Sequence, residues 1–538
     1  MCKLKKLCPE PARPPSGYRP RMARRRPAIA AALLTLAASP AGAGAAAGWL
    51  QAPTLAADGE LRGAGVRGDG VAQVVFGAGG SELAVQRPFD RAWQAPVASG
   101  LPAGLSTVVQ NANGDRIGWA RTPGGELVVS SRGTSSRRDD GSWSAPLVLA
   151  TGVRAGGAVV VLGDNREAIA AWVATDGAVV ARFRGRFGAW GGPVRLDPPG
   201  ATAGGPVLTL NESGDALVAW VRGAPGARRI RVAPRQASLV KADRPFSRTA
   251  TVPGAAGDPI LQAAALSLTG DGTLAWIEGP PGGGPLRTSN HSSGAGAWTR
   301  PATVVPRALG GRVGVAAAGG AVIAWTDTGG VGVAQRAAGV AAWSRVAGPP
   351  PPAARLLDMV VTRLGDVALA TTNIASDDLV VVRRAAGSRT WTRAPLTPGA
   401  GLTSPTALLA AARGGDLVAA WSYRAATGMA PVLAASYRAP DLPRVTALAA
   451  HPARVPRGAT TRVTFRLSAR GRVIVSLRRP FGGRVLAAFA VQGRRGANSV
   501  LVPRPAIARL LGPGRYVILA DTSARRLGVA STIIRTTP

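Results

Sequence analysis

Short apolar runs alternate with glycine-rich turns along most of the chain, and two tryptophan phrases recur among them with a period of about 50 residues. The first phrase is a turn, a strand and a tryptophan, as in Asn211-Glu-Ser-Gly-Asp-Ala-Leu-Val-Ala-Trp220. The second is Trp-x-x-Pro, as in Trp143-Ser-Ala-Pro146 and Trp298-Thr-Arg-Pro301. Short apolar runs separated by turn residues every 8–12 residues predict β-strands rather than helices.

Each phrase occurs about eight times. The tryptophan of the first phrase falls at Trp119, Trp172, Trp220, Trp276, Trp325 and Trp421, and Phe76 and Thr371 take its place in two further copies. A repeat of this length with four short strands predicts a β-propeller. We expect eight blades, or seven if the degenerate unit around Thr371 is not a blade. The repeated tryptophans are interpreted as structural residues between adjacent blades, the alternative being sugar stacking by one or two of them.

The order of the phrases predicts how the ring closes. The chain offers a lone Trp-x-x-Pro strand at Trp49, and its last repeat ends at Tyr437 without one. An N-terminal strand that completes the last blade accounts for both. We therefore predict a propeller over residues 48–440.

A leader is predicted before the repeats. Arg24-Arg25-Arg26 precedes an apolar run from Ala28 to Ala38 and a small-residue stretch up to Gly48, which is the pattern of a secretory signal peptide. Residues 1–47 are interpreted as this leader, with the true start at Met22. A cytosolic protein with an Ala-rich tail is the alternative. Both cysteines, Cys2 and Cys8, precede Met22, so the predicted mature chain forms no disulfide.

Arginine is concentrated at the C-terminus. The formal net charge is +37, and residues 441–538 hold 18 Arg and two Asp. Residues 441–538 are predicted to form an immunoglobulin-like β-sandwich. Period-two alternation there sets apolar residues inside and arginines outside. The candidate anion-binding face consists of Arg462, Arg466, Arg470, Arg472 and Arg478. The alternative is a solvated sheet face whose arginine content reflects GC-rich coding.

The second phrase resembles the Asp-box repeat of sialidase-type propellers. The copy that fits best is Ser136-Arg-Arg-Asp-Asp-Gly-Ser-Trp143, and the resemblance covers residues 49–440 as repeat architecture. Sialidase activity would require a Tyr–Glu nucleophile pair, and only Tyr423 lies early in a blade. Gly512-Pro-Gly-Arg-Tyr-Val-Ile-Leu is similar to the penultimate strand of immunoglobulin-like modules in secreted bacterial proteins.

The sequence lacks the residues that several kinds of catalytic and metal-binding site require. His291 and His451 are the only histidines and fall in different predicted domains, which disfavours a His-based triad or a multi-His metal site. The repeated turn aspartates are interpreted as turn formers rather than calcium ligands. No catalytic, cofactor or metal residue is therefore predicted.

These observations predict a secreted, monomeric, non-enzymatic binding or scaffold protein at the cell surface. Its propeller would present loops to a glycan or an extracellular protein, and its basic C-terminal part would associate with anionic wall polymers. We expect no nucleic-acid partner and no membrane-spanning segment in the mature chain. The alternatives are a carbohydrate-active enzyme using single carboxylates such as Glu126, Glu167 or Glu278, and a structural surface-layer component.

Overall fold

The structure is a computed structural model of the 538-residue chain. It describes residues 48–51, 54–88, 91–133, 142–186, 188–237, 245–255, 257–280, 282–293, 297–347, 354–373, 378–396, 402–425, 430–440, 442–480, 485–502, 511–522 and 529–537. The predicted leader and residues 136–141 of the Asp-box copy lie outside these residues. Ala46–Pro538 is one compact unit.

Eight four-stranded antiparallel sheets account for the strands from Trp49 to Tyr437. From the first to the fourth strand they are blade 1, β2 (Glu60–Val66), β3 (Ala72–Ala78), β4 (Ser81–Arg87), β5 (Val97–Ala98); blade 2, β6 (Thr107–Gln110), β7 (Arg116–Arg121), β8 (Leu127–Arg132), β9 (Leu147–Ala150); blade 3, β10 (Val153–Leu162), β11 (Ala168–Ala174), β12 (Val179–Arg184), β13 (Val194–Asp197); blade 4, β14 (Thr202–Leu210), β15 (Ala216–Arg222), β16 (Arg229–Arg235), β17 (Ala250–Thr251); blade 5, β18 (Pro259–Leu266), β19 (Gly272–Glu278), β20 (Gly284–His291), β21 (Ala302–Ala308); blade 6, β22 (Gly310–Val315), β23 (Ala321–Asp327), β24 (Gly330–Arg336), β25 (Ser344–Arg345); blade 7, β26 (Ala354–Val361), β27 (Val367–Asn373), β28 (Leu379–Arg384), β29 (Thr392–Pro395); blade 8, β30 (Leu402–Ala411), β31 (Leu417–Ala425), β32 (Val432–Tyr437) and β1 (Trp49–Gln51).

The eight sheets form a closed ring, so the fold is an eight-bladed β-propeller. The first strand of each blade contacts the first strand of the next, and β30 of blade 8 contacts β2 of blade 1. The N-terminal β1 pairs with β32, with Trp49 opposite Tyr437, and so completes the last blade. The prediction of eight blades is confirmed, because the unit around Thr371 forms a complete sheet.

All eight blades join their first two strands by the same five-residue turn. The N–H of the first turn residue donates to the C=O of the fifth, and the N–H of the fourth donates back to the first, as in Asn211 and Asp215 with Gly214. The fourth residue has a positive φ and is glycine in seven turns, but Arg166 (φ 70°) in blade 3. The Arg166 side chain donates to Asp115 of blade 2 at 3.1 Å, a contact that glycine could not make.

The repeated tryptophans lie in the gaps between blades. Trp220, Trp276, Trp325 and Trp421 are fully buried, and Trp172 is nearly so. Each packs against the preceding blade: Trp276 of blade 5 shares a buried cluster with Leu217 and Ile230 of blade 4. Phe76 takes this place in blade 1 and packs against blade 8.

Trp119 is an exception to this arrangement. The segment between the last residue of the turn and the tryptophan is one residue shorter in blade 2 than in the other copies. A one-residue offset in a strand turns the side chain to the opposite face, so Trp119 packs toward blade 3 and is only partly buried. Gly118, Leu101 and Leu105 fill the gap toward blade 1 instead.

Residues 442–537 form a three-stranded and a five-stranded sheet, here called the C-terminal module. Its strands are β33 (Val445–His451), β34 (Arg454–Pro456), β35 (Thr461–Leu467), β36 (Gly471–Arg478), β37 (Val485–Gly493), β38 (Gly496–Val502), β39 (Gly514–Asp521) and β40 (Val529–Thr537). Phe465 and Leu467 of one sheet share a core with Val475, Leu477 and Ile518 of the other. The two sheets are thus the layers of a β-sandwich. Among the described residues, none of the elements is a helix long and apolar enough to cross a bilayer.

We predict that Trp421→Ala lowers the free energy of unfolding by about 3–5 kcal/mol, because it empties a closed gap between two blades. Trp119→Ala is the control, and we expect a smaller loss because Trp119 is partly exposed. Thermal and urea unfolding of both variants measure the difference. Equal losses would show that burial between blades is not the role of Trp421.

Candidate functional site

The second residue of the repeated turn varies from blade to blade, although the turn itself does not. In blades 1 to 8 it is Gly68, Ala112, Asp164, Glu212, Leu268, Ala317, Arg363 and Arg413. Seven of these residues line a cavity of about 270 Å³ at one end of the central channel. The sequence analysis did not single out this second turn residue. The signal that could have found it is a residue that changes from blade to blade inside an otherwise constant turn.

An ion-pair network crosses this cavity. Arg413 of blade 8 contacts Asp164 of blade 3 at 3.1 Å and Glu212 of blade 4 at 3.4 Å. Arg363 of blade 7 pairs with the same Glu212 and, at 3.0 Å, with Asp521 of the C-terminal module. The network therefore joins opposite sides of the ring to each other and to the module.

The charges in this network stabilise one another. Burial alone would lower the pKa of Arg413, but Glu212, Asp164 and Asp521 outweigh burial and raise that pKa further above its ordinary value. Both carboxylates that touch Arg413 are held by a permanent cation. A pair of carboxylates flanking a substrate as acid and base would need free space between them, and here a guanidinium occupies it.

Apolar contacts dock the C-terminal module beside the network. Leu268, Ala317 and Leu364 of three successive turns share a buried cluster with Ile474 and Val485 of the module. The turn face is therefore divided: blades 5 to 7 carry the apolar contact, and blades 3, 4, 7 and 8 carry the charges.

Side chains in the channel wall bind the exposed edges of the first strands. Asp358 of β26 accepts the N–H of Leu409 in β30 at 2.8 Å, and Gln262 of β18 accepts that of Gly311 in β22 at 3.2 Å. An edge strand has unpaired backbone groups that must find partners. Burial raises the pKa of Asp358, although hydrogen bonds from the N–H groups of Leu409 and Met359 and the charge of Arg312 act in the opposite direction.

The five arginines of the candidate anion-binding face lie on two different sheets. Arg462 and Arg466 are exposed on β35 of the three-stranded sheet, and Arg470 is exposed in the following turn. Arg472 and Arg478 belong to β36 of the five-stranded sheet and are partly buried. The Arg472 guanidinium lies beside Gly365 in the turn of blade 7, so Arg472 is at the contact between propeller and module. Burial there lowers its pKa, although Asp366 of the propeller acts in the opposite direction.

The candidate carboxylates of the alternative enzyme hypothesis do not converge. Glu167, in the turn of blade 3, accepts hydrogen bonds from Asn165 and Arg235. Glu278 is the last residue of β19 and pairs with Arg287. Glu126 lies in the β7–β8 turn.

Tyr423 lines a separate cleft of about 920 Å³ between blades 1 and 8. Glu60 and Glu82 share this cleft, and Arg62 pairs with Glu60 at 2.6 Å and with Glu82 at 3.3 Å. Tyr423 itself is buried.

The turn aspartates accept hydrogen bonds from the backbone of their own blade. Asp215, Asp271, Asp366 and Asp416 each accept one N–H from the segment that follows the third strand, at 2.7–2.9 Å. Such contacts fasten two loops of one blade to each other. In the described parts of the chain, no group of three or more His, Cys, Asp or Glu is arranged to hold a metal ion.

The fold therefore defines the chain as an eight-bladed β-propeller with a C-terminal β-sandwich. No protein-family model matches the chain, and no curated protein matches it. Among solved structures it is similar to puromycin hydrolase (13% identity, TM-score 0.37, 77% of this chain and 60% of that one). It is also similar to a polysaccharide lyase, ulvan lyase, with 11% identity and a TM-score of 0.36 over 71% of this chain and 95% of that one. Virginiamycin B lyase from Staphylococcus aureus is similar with 10% identity and a TM-score of 0.37 over 61% of this chain and 93% of that one. The chain thus spans only about 60% of puromycin hydrolase.

We predict that Arg363 and Asp521 are energetically coupled. A double-mutant cycle with Arg363→Met and Asp521→Asn should give a coupling energy above about 1 kcal/mol, because both side chains are almost fully buried. The exposed pair Arg67–Asp69, at 2.8 Å, is the control and should give about 0.5 kcal/mol or less. Urea unfolding measures both, and the same value for the two pairs would contradict a buried contact between propeller and module.

We predict a pH dependence of stability from Asp358. A carboxyl group whose pKa is raised on folding binds its proton more tightly in the folded state, so its contribution favours folding at low pH and is lost as the pH rises through the folded-state pKa. Relative to Asp358→Asn, the wild type should therefore lose thermal stability as the pH is raised above about 4. Parallel profiles for wild type and Asp358→Asn would contradict the prediction.

Proposed function

We propose that the protein is a secreted, non-enzymatic binding or scaffold protein at the cell surface, whose C-terminal module associates with anionic wall polymers. The observation that carries the proposal is the state of charge of this module. Its described residues contain a single acidic side chain, Asp521, and that residue is buried against Arg363 of the propeller. The exposed arginines thus have no acidic residue of the described module to neutralise them.

The exposed arginines surround the module. They include Arg444, Arg454, Arg457, Arg462, Arg466, Arg470, Arg479, Arg494, Arg495, Arg515 and Arg535. A surface whose charges share one sign attracts polymers of the opposite charge at long range. Because arginine is charged at any physiological pH, this attraction does not depend on titration.

The propeller supports a scaffold role within this proposal. Its cavity carboxylates Asp164 and Glu212 are both bound to Arg413, and its tryptophans fill the gaps between blades. We propose that its loops present a binding surface to a glycan or an extracellular protein. Carbohydrate-active enzyme activity stays the alternative hypothesis.

Co-sedimentation of the full chain with isolated cell walls, at low and high salt, tests the proposal. We expect binding at low salt that falls steeply with ionic strength, because exposed charges are screened over about 8–10 Å at physiological salt. Insoluble neutral polysaccharide is the control and should bind little. Binding that resists salt would instead indicate a specific glycan site on the propeller and justify an activity screen, whereas no binding to walls would contradict the proposal.

A further inference from the structure

Three exposed arginines of the C-terminal module form a row across neighbouring strands. Arg515 of β39 is directly opposite Arg535 of β40, and Arg535 is in register with Arg454 of β34. Adjacent strands lie about 4.8 Å apart. The three side chains are exposed, and we call them the arginine row.

This arrangement is unfavourable without a partner. Like charges directly opposite each other on a sheet destabilise it, and the row sets two such pairs side by side. In the described part of the chain, none of the three guanidinium groups is in an ion pair. The one described acidic residue of the module, Asp521, lies at the other end of β39, about 20 Å away at the rise of a strand.

The outer face of the five-stranded sheet has two halves. Ile474 and Asp521 are paired in register at one end, where the module meets the propeller. At the other end lie the arginine row and, one step inward, Val517 opposite Ile533. The propeller contact therefore leaves the row accessible and fixes its orientation.

The spacing of the row selects the chemistry of its ligand. Three guanidinium groups on adjacent strands can converge on one group, and each offers a planar fork of donors. A carboxylate holds its two acceptor oxygens in one plane, whereas the oxygens of a phosphate group are arranged tetrahedrally, so guanidinium groups on neighbouring strands can approach one phosphate from different directions. We propose that Arg454, Arg515 and Arg535 form a binding site for phosphate groups of an anionic polymer.

This inference rests on the proposed wall association and names its site and ligand class. A soluble polymer is favoured over a lipid surface, because the half of the sheet that holds the row carries one strongly exposed apolar side chain, Ile533. Isolated apolar residues are ordinary on protein surfaces, and interfacial membrane binding requires a larger buried apolar area.

The test measures binding of the full chain to long-chain inorganic polyphosphate and to polygalacturonate across a salt series. The row variant combines Arg454→Gln, Arg515→Gln and Arg535→Gln. The matched control combines Arg462→Gln, Arg466→Gln and Arg470→Gln, which removes the same charge from exposed positions elsewhere on the module. Thermal unfolding verifies that both variants fold, and we expect both to fold because all six side chains are exposed.

We expect the row variant to bind polyphosphate about tenfold or more weakly than wild type, with a shallower salt dependence, and the control to lose about threefold or less. We expect polygalacturonate to discriminate little between the variants. Equal losses of polyphosphate binding in both variants would overturn the proposed site but leave the proposed wall association standing. Wild type that binds polygalacturonate and not polyphosphate would have the same consequence. Wild type that binds neither polymer would overturn both proposals, and binding to phosphatidylglycerol vesicles in preference to polyphosphate would replace the polymer by a membrane.

Discussion

The contact between successive blades is the interaction on which the rest of the structure depends. The third strand of each blade ends in Arg, His or Tyr. In blades 1 to 8 these residues are Arg87, Arg132, Arg184, Arg235, His291, Arg336, Arg384 and Tyr437. Several of these stack on the aromatic residue of the second tryptophan phrase, as Arg384 does on Trp391 at 5.1 Å and His291 on Trp298 at 5.3 Å. Several also bind the preceding blade, as Arg87 binds Ser436 across the ring closure at 2.8 Å. Burial lowers the pKa of Arg336 and Arg384, and each guanidinium donates a hydrogen bond to the preceding blade, Arg336 to Thr273 and Arg384 to Gln335.

This repeated contact explains why function must be sought at unrepeated positions. A residue repeated in most blades, such as the buried tryptophan or the turn aspartate, serves the packing that the blades share. The second turn residue is free of that requirement, because the first, fourth and fifth residues make the backbone hydrogen bonds that close the turn. Its side chains could therefore diverge into the ion network of Asp164, Glu212, Arg363 and Arg413, and into the apolar contact of Leu268 with the module.

The sequence predicts the propeller and its closure because both follow from local spacing. The phrase at Trp49 and the missing phrase after Tyr437 are enough to place β1 in blade 8. The ion network was out of reach, since Arg413 and Asp164 are 249 residues apart and meet only when the ring closes. The arginine row was missed for a related reason: alternation along one strand assigns a face, but only the register between strands shows which arginines are neighbours.

Composition alone leaves the arginines ambiguous, because GC-rich coding would enrich them everywhere. Their environments separate two populations. In the propeller, arginines such as Arg62, Arg287 and Arg383 meet carboxylates of their own domain. In the described module, the one carboxylate side chain is already bound by the propeller, so the module's positive charge has no internal counterpart. Coding bias can supply the residues, but it does not account for the acidic residues being retained in one part of the chain and nearly absent from the other. That asymmetry is what an external anion would exploit.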